Sequence, residues 1–342
     1  MVKRPTITDL ARHAGVSVAT VDRVLNRRLP VREDTALRVV GAAEAIGYHA
    51  TGLLKRRMSE VPRRALGFLL QKRHDSFYQA FGTELVKAAK SVQSIEGKPL
   101  LDFVDELVPA LIAARIREMS ERADALAIVA VDHPTVHEAV DDAVARGKPV
   151  FTLLSDITTA RRSCCLGVDT RRAGRTAAWT ISRLARTPGK VGILLGSHRY
   201  LSQEISEISF RSYMREHAPD FQVLEPIINL DDERIAYEAV IDMLASNPDL
   251  AGLYVSGGGQ DGLVRALRED GKGRGVIAVC NELTSSTRTA VIDGVIDMAL
   301  RTPIEAISER TVALMAQAVS GHAADIPQQV LFPAEIFISE NI

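Results

Sequence analysis

Over the first fifty residues the apolar positions fall at helical spacing in three short blocks. Leu10, Ala11 and Ala14 share one helical face, and Gly15 follows them where a left-handed turn is easiest. Ser17 stands where a helix N-cap belongs, and Val21, Val24 and Leu25 then repeat at i, i+3, i+4. A third block, Ala36, Val39, Val40, Ala43 and Ile46, ends at Gly47. Two short helices about a glycine turn, braced by a third, form the helix-turn-helix plan.

The pattern changes from Ala65 onward. Short apolar runs alternate with amphipathic helices, and strands are expected at Leu66–Leu70, Leu100–Phe103, Ala125–Ala130, Val150–Leu154, Val191–Leu195, Ala251–Val255 and Val276–Cys280. That alternation predicts an α/β body with parallel sheets, and its length of roughly 280 residues suits two lobes better than one. The expected division is an all-α headpiece at 1–48, a linker or hinge at 49–63 and a two-lobed ligand-binding and dimerisation domain at 64–342.

Composition adds little to this picture except through charge. Apolar content is 46%, ordinary for a globular chain, and no run is long enough for a membrane span. The N-terminus has no apolar secretory segment, and the three cysteines, two of them the neighbours Cys164 and Cys165, suit neither a disulfide framework nor a zinc site. A cytosolic location, no metal and no cofactor are expected. Among residues 1–60, eleven Lys and Arg stand against six Asp and Glu, a surplus of +5 in a chain whose net charge is −1. A basic head on an acidic body fits a polyanion partner at one end only.

The second helix is the expected reader of that partner. Val18, Ala19, Asp22, Arg23 and Asn26 remain for outside contacts once Val21, Val24 and Leu25 are buried. Arg23 can fork onto guanine, Val18 or Ala19 can meet a thymine methyl, and Asp22 can accept from cytosine. Thr6, Ser17 and Asn26 are candidates for phosphate contacts, which set register without reading sequence.

The stretches Thr6-Ile7-Thr8-Asp9-Leu10-Ala11, Ala14-Gly15-Val16-Ser17 and Thr20-Val21-Asp22-Arg23-Val24-Leu25-Asn26, with the later Gly47-Tyr48, resemble the LacI (lactose repressor) family headpiece. The resemblance implies a dimer on a two-fold symmetric operator, with Val18, Ala19 and Arg23 at the base-reading positions. Two departures matter. Asp22 stands where the family usually has serine. The hinge reads His49-Ala50-Thr51-Gly52-Leu53-Leu54-Lys55-Arg56-Arg57-Met58, with Arg57 near the family's minor-groove leucine and Met58 beside it. Met58 as an apolar wedge and the segment as a basic phosphate-touching linker are both open readings.

The body resembles the periplasmic sugar-binding fold of LacI-family sensors at Gly167-Val168-Asp169 with Gly174, at Gly189-Lys190-Val191, and at Ala251-Gly252-Leu253 with the Gly-rich loop after it. The resemblance implies lobes discontinuous in sequence: the first at about 64–164 and 294–323, the second at about 165–293 and 324–342. It also implies ligand contacts at Asp169, at Asn281 and Glu282, and near Arg301. Ser206, with Glu204 and Glu207 nearby, stands where family members often have arginine, and Ser256-Gly257 replaces the usual Asn-Asp.

Independently of the resemblance, ligands of open α/β sheets bind beyond the carboxyl ends of strands. Candidates there are Asp75, Phe77, Tyr78, Asp132, Ser155, Asp156, Asp169, Ser197, the loop around Gly258, Asn281 and Glu282. Carboxylates and amides beside an aromatic platform suit a sugar or a polyol such as an inositol. The departures add Glu204 to the candidates.

Two motifs point elsewhere. Gly257-Gly258-Gly259-Gln260-Asp261-Gly262 has the G-x-G-x-x-G spacing, with Glu282 twenty residues beyond its last glycine, and so fits a dinucleotide fingerprint. A sugar-modifying or NAD-linked enzyme with an appended DNA-binding head is therefore the alternative, opposed by the loop's place deep in the second lobe. His133 and His137 near Asp132 have helical metal-ligand spacing but lack a third positioned ligand. A ligand-controlled regulator, most simply a repressor, is the expected function; the added headpiece argues against a transport protein.

Overall fold

A computed structural model of the chain describes residues 5–26, 31–48, 61–159, 161–270, 275–322 and 326–342. It forms two compact units, residues 1–62 and 63–342. The hinge residues Arg57 and Met58 lie outside the described residues, as does the side chain of Asn26.

The N-terminal unit contains three helices: α1 (Ile7–Ala14), α2 (Val18–Asn26) and α3 (Glu33–Ala45). Thr6 starts α1 through a capping box with Asp9, and Gly15 ends it at φ +65, the left-handed conformation that only glycine adopts without penalty. The Ser17 hydroxyl accepts from the Thr20 N–H at 3.1 Å and so caps α2. Leu10, Ala11, Ala14, Val21, Val39, Val40, Ala42, Ala43 and Tyr48 are buried together, with Val24, Leu25 and Ile46 packed against them. The expected core faces are those that meet; Ala42 and Tyr48 join them.

The larger unit is built on two sheets. In the first, β12 (Gln329–Phe332), β5 (Cys164–Val168), β4 (Val150–Leu153), β3 (Ala125–Ile128), β1 (Arg63–Gln71) and β2 (Glu96–Val104) lie side by side in that order, all parallel. In the second, the order is β13 (Glu335–Phe337), β11 (Met298–Arg301), β10 (Ile277–Asn281), β9 (Leu250–Val255), β6 (Lys190–Leu195) and β7 (Gln222–Val223), with β8 (Ile227–Ile228) also pairing β6. Only β13 runs antiparallel, against β11. β3, β4 and β9 are buried along their whole length, as strands covered by helices on both faces must be.

The chain crosses between the sheets after β5, after β11 and after β12. This corrects the expected lobe boundaries. Cys164–Val168 and Gln329–Phe332 belong to the first sheet, where β12 pairs β5, and Met298–Arg301 belongs to the second, where β11 pairs β10. The segments are four or five residues long, and their sheet is decided by partners far away in sequence.

In each sheet the strand order reverses beside the first strand of its lobe: β2-β1-β3 in one, β7-β6-β9 in the other. The crevices outside the carboxyl ends at such reversals are where open α/β sheets bind ligands.

Candidate functional site

Both crevices open into one cleft within the larger unit. From the first lobe, the segment after β1 contributes Lys72, Asp75, Ser76, Phe77 and Tyr78. From the second, Tyr200, Gln203, Asp231, Ser256–Gly258 and Glu282 reach in, and Thr302 enters from a crossover. The cavity volume is ≈ 150 Å³. That is the size of cavity that holds a six-membered ring.

Seven of the thirteen candidate ligand residues line this cavity: Asp75, Phe77, Tyr78, Ser155, Gly258, Asn281 and Glu282. One Asp75 carboxylate oxygen accepts from the N–H groups of Phe77 and Tyr78 at 2.9 and 3.1 Å, capping the helix Ser76–Ser91 (α4) and setting both rings at the cleft. The Asn281 amide donates to the Ser256 carbonyl at 2.9 Å, and its oxygen accepts from the Tyr254 hydroxyl at 3.1 Å. Asn281 therefore braces the cleft floor.

Glu282 is the most perturbed acid of the site. Burial pushes its carboxyl up to about 7, against the Thr302 hydroxyl and the Thr302 N–H at 3.2 Å, which favour the charged form. Its backbone sits at φ +68. Lys72, Leu154 and Asp231, all lining the cavity, also have positive φ, and so does Leu230 beside Asp231. Non-glycine residues rarely adopt this conformation, and its concentration around one cavity is the backbone strain that binding sites store.

Six candidates do not line the cavity, among them Asp156, which pairs with the Arg162 guanidinium, and Ser197, whose hydroxyl accepts from the Arg199 N–H at 3.2 Å. Asp132 lies at the mouth of the first lobe, where it accepts from the Thr158 N–H at 2.8 Å and binds the His137 ring. Asp169 caps the helix Thr170–Leu184 (α7) through the Arg172 N–H and also pairs with the Arg172 guanidinium at 3.2 Å. Glu204 stands in the first turn of the helix Leu201–His217 (α8), where its neighbours Ser202 and Gln203 face the cavity instead. The Arg301 guanidinium is held by Glu335 at 2.6 Å and by Glu305, bracing two crossovers.

Lys72, Tyr200, Gln203 and Asp231 were not expected in the site. Asp231 belongs to the turn after β8, and its carboxylate accepts from the Gly258 N–H at 2.6 Å. A Cβ on Gly258 would stand 2.5 Å from the Asp231 Cβ, so the glycines make room for this acid. The signal in the sequence was the polar run Asn229–Asp232 behind Ile227-Ile228. Asp231 also explains the G-x-G-x-x-G loop: its carboxylate occupies the backbone N–H that a phosphate would need. Gly262 instead permits close packing of the helix Gln260–Asp270 (α10) on Glu233–Ser246 (α9). The His133 ring, the other candidate for metal chemistry, accepts from the Thr135 N–H as a helix cap at 3.2 Å.

On the N-terminal unit, Val18, Ala19 and Arg23 are exposed on one helix, Val18 by 42%, and Asp22 is half-buried. Thr6 and Ser17 are exposed at the starts of α1 and α2, with their hydroxyls serving as caps. Among the described residues of the whole chain, no helix is long and apolar enough to cross a membrane.

Residues 6–51 match the family of bacterial regulatory proteins, lacI family, and residues 66–323 match the periplasmic binding protein domain. The chain is similar to the transcriptional regulator GntR of Pseudomonas aeruginosa, 25% identical over 334 residues, 93% of this chain and 90% of that one. It is 38% identical over 90 residues to the regulator RegA of Clostridium saccharobutylicum, a match that takes in only 26% of either chain. Among solved structures it resembles a solute binding protein from Agrobacterium vitis bound with α-D-tagatopyranose, at TM-score 0.74 and 19% identity over 81% of this chain and 95% of that one. The arabinose binding protein AraP from Geobacillus stearothermophilus gives TM-score 0.69 and 18% identity over 82% and 98%. The chain belongs to the periplasmic binding protein domain family and carries, ahead of that domain, a DNA-binding domain of the lacI family of bacterial regulators.

Proposed function

We propose that the protein is a transcriptional regulator whose operator affinity is set by a sugar or polyol in the cleft. The observation that carries this reading is the cleft itself: a ring-sized cavity with Phe77, Tyr78 and Tyr200 beside Asp75, Asp231 and Glu282. Aromatic faces take the apolar face of a sugar, and carboxylates accept from its hydroxyls. The Agrobacterium vitis neighbour, bound with a sugar, and the relatives named transcriptional regulators support the same reading.

The ligand acts through the lobes. Lys72 of the first lobe donates to the Leu230 and Asp231 carbonyls of the second, and the Asp132 N–H donates to the Arg199 carbonyl at 2.9 Å. A ligand that binds the closed lobes better than the open ones shifts that equilibrium, and only such a difference changes DNA affinity. The active species is a homodimer on a two-fold operator, as the lacI-family headpiece implies.

The test is a thermal-shift screen against sugars, polyols and sugar phosphates, followed by operator selection from a random library. A ligand at about 100 times its dissociation constant stabilises by roughly 2.7 kcal/mol. A flat response across the panel contradicts the sugar reading, and failure to enrich a two-fold sequence contradicts the operator reading.

A further inference from the structure

The charges of the cavity do not balance. Asp75, Asp231 and Glu282 line it, against Lys72 as the one cation among the described lining residues. Lys72 is not free for an anionic ligand. Its ammonium donates to the Leu230 and Asp231 carbonyls at 2.9 and 3.0 Å and lies 4.0 Å from an Asp231 carboxylate oxygen. With Lys72 set against Asp231, Asp75 meets no cation among the described lining residues and is held by the two N–H groups it caps, and ionised Glu282 adds a second negative charge.

These acids converge. The Tyr78 phenol is pushed up first by burial and then by Tyr200, Asp231, Asp75 and Glu282, so all three carboxylates act on one buried group. Adding further negative charge among three acids is costly, which disfavours an anionic ligand. A ligand cation offsets their charge. The rings of Phe77 and Tyr78, edge to face with centroids 5.3 Å apart, add π faces of the kind that attract cations.

We propose that the cleft takes an amino sugar, a ring-sized polyhydroxy molecule bearing a basic nitrogen, and excludes sugar acids and sugar phosphates. The inference rests on the sugar-site reading and narrows it by charge. The nitrogen faces the carboxylates of Asp75 and Glu282.

Calorimetric titration of the full chain at pH 7 tests this with glucosamine, galactosamine and mannosamine, their parent hexoses, their N-acetyl forms, gluconate and glucose 6-phosphate. At least one amine is expected to bind about tenfold tighter than its parent hexose and its N-acetyl form, a difference of about 1.4 kcal/mol. Gluconate and the phosphate should give no binding heat. Glu282→Gln and Asp75→Asn should each pull the amine-to-hexose ratio toward one, with thermal melts confirming that both fold. A hexose that binds as tightly as every amine overturns the proposal and leaves the sugar site standing. Tightest binding by gluconate or the phosphate overturns the charge argument. No binding by any member overturns both this proposal and the sugar reading.

Discussion

The two sites of this chain are built in opposite ways. The residues proposed to face DNA, Val18, Ala19 and Arg23, are exposed on one nine-residue helix, whose capping residue and buried face lie in the same stretch. The cleft draws on turns from Lys72 to Thr302, brought together by two sheets and three crossovers. A site on one helix depends on local spacing and one small core. A site between lobes depends on which strand joins which sheet.

Substitutions can separate the two. The largest effect is expected in the headpiece core, where Leu10 is fully buried. Leu10→Ala should cost about 2–5 kcal/mol of headpiece stability and abolish operator binding, while calorimetric ligand binding by the cleft is unchanged. Loss of ligand binding as well would mean that the units do not fold independently.

The next effect is one of pH. Glu282 has its carboxyl raised from 4.5 to about 7 in the folded protein. The native state therefore holds a proton that the unfolded chain has lost, and stability falls as pH rises between these values. The slope approaches about 1.4 kcal/mol per pH unit for one proton. Glu282→Gln should flatten this part of the curve in denaturant titrations; an unchanged slope would place the titration elsewhere.

Arg23→Ala should cost about 1–3 kcal/mol of specific operator binding and relax one base preference per half-site. The measurement is binding to a selected operator library at fixed salt. Equal weakening on every sequence would make Arg23 a phosphate contact.

The smallest effects sharpen the cleft. Asp169→Ala removes a helix cap worth about 0.5–2 kcal/mol of stability and should leave ligand affinity unchanged. Glu282→Ala should lower that affinity by about 1–3 kcal/mol. A reversed pattern would put the ligand at the start of α7.

This difference also explains what was legible in the sequence. The three headpiece helices and seven apolar strands could be read from periodicity and glycine placement, because local spacing carries that information. Cys164–Val168, Met298–Arg301 and Gln329–Phe332 were not expected as strands, or were assigned to the other lobe, because the crossovers that decide their sheet leave no local pattern. Within the cleft, Asp75, Phe77, Tyr78 and Glu282 were found by their position after strands. Asp169 and Asp132 occupied similar positions but are spent on a helix cap and on the Thr158–His137 network. Asp231 and Lys72 escaped because their role arises across the cleft, where each meets the other lobe.

The most direct test of coupling between the two units is operator affinity of the full chain with the cleft empty and with it saturated. A ligand bound in the cleft should change operator affinity by about 5–150-fold, and Glu282→Ala should lose that response while keeping the affinity of the unliganded protein. Saturation of the cleft with no change in operator affinity would contradict ligand control of DNA binding.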